Sequence, residues 1–129
     1  MRIMDQKEKA WLYCSIDAPE DEHGRLKGQK RELLNYAEQI GFEVVGTSQD
    51  TGSGLNFNRI GLTEVSEAAT AGKMDVLLIA NVSCLCRDTV KTMDFIHQLQ
   101  EQGIKVYSPL EGEITMVSIS KSANRSLTH

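Results

Sequence analysis

Apolar residues fall along this chain in two alternating patterns, short unbroken runs and stripes repeating every three or four residues. Trp11-Leu12-Tyr13-Cys14-Ser15-Ile16, Phe42 to Thr47, Asp75 to Asn81 and Ile104 to Tyr107 are the runs, and each predicts a buried strand. Between them lie helical stripes: Leu33, Ala37 and Ile40 over 29–40; Leu62, Val65 and Ala69 over 60–71; Met93, Ile96 and Gln100 over 88–102. Gly41, Gly72 and Gly103 follow as stops, and Asp88 is the expected N-cap of the third helix. Strand–helix three times, then a strand, predicts a three-layer α/β domain. Its central sheet is expected to be mainly parallel, with four to five strands and helices on both faces. Residues 1–10 are expected to be a flexible tail and 11–114 the domain. Residues 115–129 are expected to be a C-terminal extension, or the rest of an edge strand that begins at Ile114 and reaches Ser120 followed by a tail over 121–129.

Composition narrows this picture only modestly. The 129 residues are 40% hydrophobic and 25% charged, ordinary for one globular domain. The longest apolar run, Val76 to Ala80, is far too short to cross a bilayer. No membrane partner is therefore expected, and three cysteines without disulfide-type spacing suggest a cytoplasmic setting. Fourteen Lys plus Arg against 18 Asp plus Glu leave a net charge of −4. A domain that grips DNA by its backbone usually carries an overall basic footprint, and this one does not. Taken alone, the chain is expected to hold duplex DNA no tighter than about 10⁻⁴ M at physiological salt.

Ligands of open α/β sheets sit beyond the carboxyl ends of the strands. Those ends carry Asp17, then Asp50 with Ser53, then Ser83 to Arg87. The spacings there are informative. Asp50, Ser53-Gly54, Arg59 and Gly61-Leu62 form one group, and Leu85 with Arg87-Asp88-Thr89 forms another. Ala71 to Leu78, Leu26 with Gln29, and Gly103-Ile104 with Glu111-Gly112 complete the set. Together they resemble the catalytic domain of the serine recombinases, the resolvase and invertase family, over residues 11 to 114. That resemblance implies a resolvase-like fold and a role in DNA strand cleavage and rejoining during DNA recombination and integration, in the setting of mobile elements. It also implies a serine nucleophile at the end of the first strand, set in an aromatic-x-Arg-aliphatic-Ser motif.

In this chain the five motif positions are Tyr13, Cys14, Ser15, Ile16 and Asp17. Ser15 stands where the family has arginine and Asp17 where it has the nucleophile. After the third strand, Cys84 replaces a second arginine and Cys86 a glycine, while Arg87 is kept. Attack on a phosphodiester needs cations around the charge developing on the phosphate oxygens. Two cations are lost at the matched positions and an anion is gained. Asp17 at ~4 Å from a phosphate would repel it by up to about 4 kcal/mol at an effective dielectric of 20.

The leading expectation is thus a recombinase-like domain, catalytically impaired, that acts as a non-catalytic or partner-binding module. It would pair as a homodimer or with an active recombinase, and it needs no cofactor or metal. Two rivals stand beside it. In the first, Asp17 or Ser15 is an unusual live nucleophile, though Ser15 lies ~6.6 Å back along the strand. In the second, the acidic strand ends form a receiver-like small-ligand module. The retained Asp50, Ser53, Arg59, Asp75 and Arg87 read either as a leftover phosphate pocket or as a salt-bridge cluster organising loops. Three carboxylates (Asp17, Asp50, Asp75) to two arginines favour the cluster.

Asp50-Thr51-Gly52-Ser53 also spells the aspartic-protease signature, which would require an all-β fold. Cys14, Cys84 and Cys86 with His23 offer thiol ligands but no second pair. Cys14 has the opposite strand parity from Ser15, so it is expected to point away from the site as a buried structural residue. His97 is expected at a helix surface. The chain stops where the family's dimerisation helix would begin, consistent with a fragment or a short natural paralogue, and the altered site favours the paralogue.

Overall fold

In the computed structural model, residues 7–16, 24–52, 60–80 and 89–114 are described. The elements run β1 (Lys9–Ile16), α1 (Arg25–Ile40), β2 (Glu43–Thr51), α2 (Ile60–Thr70), β3 (Val76–Leu78), α3 (Thr89–Glu101), β4 (Lys105–Ser108) and β5 (Gly112–Glu113). The sheet order is β2-β1-β3-β4-β5. All neighbours pair parallel except β4 and β5.

Side-chain alternation along β1 divides the core into two layers. Ala10, Leu12, Cys14 and Ile16 join Leu26, Leu33 and Ala37 of α1 on one face. Tyr13, with Trp11 packed alongside, joins Leu62, Val65 and Ala69 of α2 and Ile96 and Leu99 of α3 on the other. β3, buried on both faces, is apolar at every position. The result is the three-layer α/β arrangement that the alternating patterns predict, and it excludes the all-β protease reading of Asp50-Thr51-Gly52-Ser53.

Element boundaries differ from expectation for identifiable reasons. β1 starts at Lys9, and Ala10 is already fully buried. α1 starts four residues before Gln29. Gly24 stands before it at φ 68° and its carbonyl accepts from the Gly28 N–H at 2.9 Å, so two glycines that read as a turn instead open the helix. Leu26, Leu33 and Ala37 are its buried stripe, while Ile40 is half exposed at the last turn. The chain reverses after β4, so the edge strand is the short antiparallel β5; residues 115–120 of the expected edge strand lie outside the described residues.

β2 matters most for function. It continues to Thr51, which places Asp50 on a strand rather than in a loop. Between Ala10 and Trp11 its register slips: Ala10 faces Val44, Trp11 faces Gly46, and Val45 is the extra residue. Val44 therefore packs on the α1 side, while Gly46, Ser48 and Asp50 align with Trp11, Tyr13 and Ser15 on the α2 side. Without the bulge, strand alternation would carry Ser48 and Asp50 to the wrong layer. The Trp11 indole lies directly over Gly46, filling the space a Cβ would need.

Candidate active site

The strand order reverses direction between β1 and β3, so the crevice expected for a ligand lies beyond their carboxyl ends. β1 ends there with Ser15 and Ile16. Ser15 is only 8% exposed. β3 stops at Leu78, opposite Leu12, three residues short of Ser15, and a side chain fills the missing ladder position. The Ser15 N–H donates to Gln29 Oε1 at 3.1 Å, and Gln29 Nε2 donates to the Ser15 carbonyl at 2.7 Å. One amide from α1 thus does what a neighbouring strand residue would do, and it fixes the strand end from which residue 17 departs. Gln29→Leu should leave both backbone groups without that partner. The expected loss is about 1–3 kcal/mol of stability, with faster hydrogen exchange at the Ser15 amide. Unchanged exchange there would remove Gln29 from this role.

Across the ladder, Asp50 pairs with Ser15. Its carboxylate is fully engaged. Oδ1 accepts from the Gly61 N–H at 2.8 Å; Oδ2 accepts from the Leu62 N–H at 3.0 Å and the Tyr13 hydroxyl at 2.8 Å. Gly61 and Leu62 are the second and third residues of α2, so Asp50 caps that helix from a separate strand and faces the positive end of its dipole. Ser48 adds a second tie. Its hydroxyl accepts from Trp11 Nε1 at 3.1 Å and donates to the Gly61 carbonyl at 2.9 Å. The N-terminus of α2 already holds an anion of its own, so those two N–H groups are not open to a substrate phosphate.

Gly61 is the close-approach point. A Cβ there would lie 2.5 Å from the Gln49 carbonyl oxygen and 2.8 Å from Asp50 Oδ2. Gly61→Ala must push α2 off β2 or break the cap. Overpacking costs about 1–3 kcal/mol, and a backbone obstacle puts this variant at the upper end. A urea midpoint within error of wild type would show that α2 shifts freely.

The remaining sequence candidates divide by location. Asp75 stands at the amino end of β3, where Oδ2 accepts from the Lys9 N–H at 2.9 Å. Lys9 and Ser15 are six residues apart on β1, about 20 Å of strand. The structure therefore separates Asp75 from Ser15 and Asp50. Asp50 and Asp75 organise the fold through backbone N–H groups, and among the described residues neither forms an ion pair. Cys14 is 3% exposed in the α1 layer, as its parity predicts. His97 pairs with Glu101 at 3.3 Å on the exposed side of α3. Asp17, His23, Ser53, Arg59, Cys84, Cys86 and Arg87 lie outside the described residues. Among those described, no three His, Cys, Asp or Glu side chains cluster as a metal site, and no helix is long and apolar enough to span a membrane. What sequence reasoning missed was the function of Gln29, Tyr13, Ser48 and Gly61. Their signal was visible only in hindsight of register, because each acts through a partner 11 to 37 residues away.

Residues 14–126 match the family described as the resolvase N-terminal domain. The chain belongs to the resolvase family. Solved structures agree on the fold. The N-terminal catalytic domain of TP901-1 integrase is 19% identical with a TM-score of 0.75, covering 95% of this chain and 100% of that one. A resolvase-family site-specific recombinase from Streptococcus pneumoniae is 22% identical with a TM-score of 0.75, covering 94% and 87%. The C-terminal catalytic domain of ISC1926 TnpA, an IS607-like serine recombinase, is 24% identical with a TM-score of 0.73, covering 92% and 79%. These likenesses show a shared fold; the Asp50 cap, the Gln29 clamp and Ser15 at the strand end are features of this chain.

Proposed function

We propose that this resolvase-family domain is impaired in DNA strand cleavage and acts by pairing, with itself or with an active recombinase. The observation that carries the reading is Ser15. It is buried at the carboxyl end of β1, at the position where the family motif places an arginine, and its backbone is clamped by Gln29. The described part of the site offers a carboxylate, the Tyr13 and Ser15 hydroxyls and the Gln29 amide. The carboxylate is spent on three donors. Such a set can organise a strand end but does not supply positive charge to a phosphate in flight. Asp17, which follows this strand end in sequence at the nucleophile position, adds an anion.

The rival with a live Asp17 or Ser15 would need cations from elsewhere, and Arg59 and Arg87 are the residues in sequence that could provide them. The test is covalent capture. The domain, fused to a dimerisation helix and a DNA-binding module, is incubated with labelled nicked site DNA and run on a denaturing gel. Absence of a retarded band supports the impaired reading, and a retarded band with the unaltered domain overturns it.

A further inference from the structure

One flank of α1 runs from basic through apolar to acidic. Lys30, Leu34 and Glu38 recur every four residues, so they form one stripe along the helix in steps of about 6 Å. Leu34 at its centre is 39% exposed, and Lys30 and Glu38 are exposed on either side. The two charges stand about 12 Å apart on the axis, too far to pair with each other. No opposite charge lies three or four residues from either one, which removes the usual helical partners. Among the described residues neither forms an ion pair. The flank has a definite place in the fold. Gln29 and Tyr36 lie on the other side of the buried Leu26–Leu33–Ala37 stripe. Gln29 fills the ladder position that β3 leaves beside β1, and Tyr36 lies near Tyr107 of β4. Lys30, Leu34 and Glu38 therefore face the opposite way, toward β2 at the edge of the sheet. There the bulge residue Val45 is a further exposed apolar side chain, at 38%.

We infer that this flank of α1 is an interface for a second copy of the chain, packed antiparallel about a two-fold axis at Leu34. The inference rests on the proposed function for its choice of partner, the pairing of the domain with itself. A two-fold contact uses the same patch on both copies, so that residue i meets j and j meets i. Turned about Leu34, the stripe complements itself. Leu34 meets its own equivalent, and Lys30 of each copy meets Glu38 of the other, giving one apolar contact and two ion pairs. A parallel arrangement would set lysine against lysine and glutamate against glutamate, so the charges choose the direction. With the axis normal to the sheet, the same rotation brings the two β2 edges side by side and covers Val45, where an edge strand otherwise stands open. The crevice between β1 and β3 lies on the Gln29 side of α1 and stays uncovered. Exposed ion pairs contribute little each and are screened by salt, so the contact is weak and populated at high protein concentration.

The experiment follows self-association of the full chain by sedimentation equilibrium up to about 1 mM protein, where a contact with a millimolar constant is half formed. The unaltered chain should dimerise, and less at about 0.15 M salt than at about 0.01 M, as the Debye length falls from about 30 to about 8 Å. Lys30→Glu and Glu38→Lys should each weaken dimerisation about tenfold or more, because two pairs worth about 1.4- to fivefold apiece become repulsive. Glu38→Lys is the sharper of the two. It brings the net charge of −4 nearer zero and would strengthen association if only overall charge mattered. Lys30→Glu and Glu38→Lys in one chain should restore dimerisation to within about threefold. Mixing the two single variants should restore it as well, since one then carries anions at both ends of the stripe and the other cations. Leu34→Glu, which sets two anions on the axis, should also disperse the dimer; if that variant unfolds, the exposed charge variants carry the test. Association equal in all variants, or no rescue by the double change, overturns the inference and moves self-pairing to another surface. A chain that stays monomeric at about 1 mM overturns it too, and leaves pairing with an active recombinase as the standing form of the proposed function. Covalent capture is read separately in the fusion protein, so an adduct there would overturn the impaired-catalysis reading without touching this result.

Discussion

No covalent protein–DNA adduct should form with the unaltered domain, and Asp17→Ser alone should not create one. The expectation follows from magnitudes. Asp17→Ser removes an anion and supplies a hydroxyl, a gain of up to about 4 kcal/mol in repulsion relieved. It leaves Ser15 and Cys84 where the family motif has arginines. Removing one preorganised charge-stabilising donor slows such chemistry ~100- to 1000-fold, so two missing cations cost ~10⁴ or more if the losses multiply. The deficit, about 5.4 kcal/mol or more, exceeds the largest relief, and it acts on the transition state itself. Asp17→Ser, Ser15→Arg and Cys84→Arg should be needed together, in a chain that also carries a dimerisation helix and a DNA-binding module. The structure sharpens the reason for Ser15→Arg. Position 15 lies on the same face as Tyr13 and Asp50, and its backbone is already held by Gln29, so a guanidinium there would start from a fixed point. A retarded band from Asp17→Ser alone would mean that Arg59 and Arg87 supply enough charge. A band from the unaltered domain would make Asp17 or Ser15 a nucleophile.

The architecture was legible because its signals are local. Unbroken apolar runs and helical stripes report burial on two faces or one, and that is enough to order β1 to β4 around three helices. The site was legible only in part, because its contacts depend on register. Asp50 looked like a loop carboxylate beside glycines, yet β2 runs through it and turns it toward α2 by means of the extra residue Val45. Nothing in a single sequence marks that bulge, since Val45 fits an ordinary strand pattern. Asp75 shows the converse. Its spacing matched the family, but one position before β3 means the amino end of the sheet, and there it bonds Lys9.

Asp50→Ala should be among the most destabilising single changes outside the apolar core. The substitution strips three donors at once. Losing a helix cap costs about 0.5–2 kcal/mol, and the Tyr13 hydroxyl, on a residue with no exposed surface, loses a partner at a further 1–3 kcal/mol. The combined loss is about 1.5–5 kcal/mol, a large share of the 5–15 kcal/mol that typically holds a domain folded. Asp50→Asn should fall between. Its carbonyl oxygen can keep the Gly61 N–H, but an amide nitrogen at Oδ2 faces the Leu62 N–H, donor against donor, at a cost near 1 kcal/mol. Asp75→Ala gives the contrast, because it removes one exposed bond to the Lys9 N–H and should cost under about 1 kcal/mol. The check is the urea midpoint of each variant at constant m-value. Equal shifts for Asp50→Ala and Asp75→Ala would sink the capping account. A negligible shift for Asp50→Ala would say more, since a carboxylate that contributes nothing to the fold is one the site can spare for chemistry.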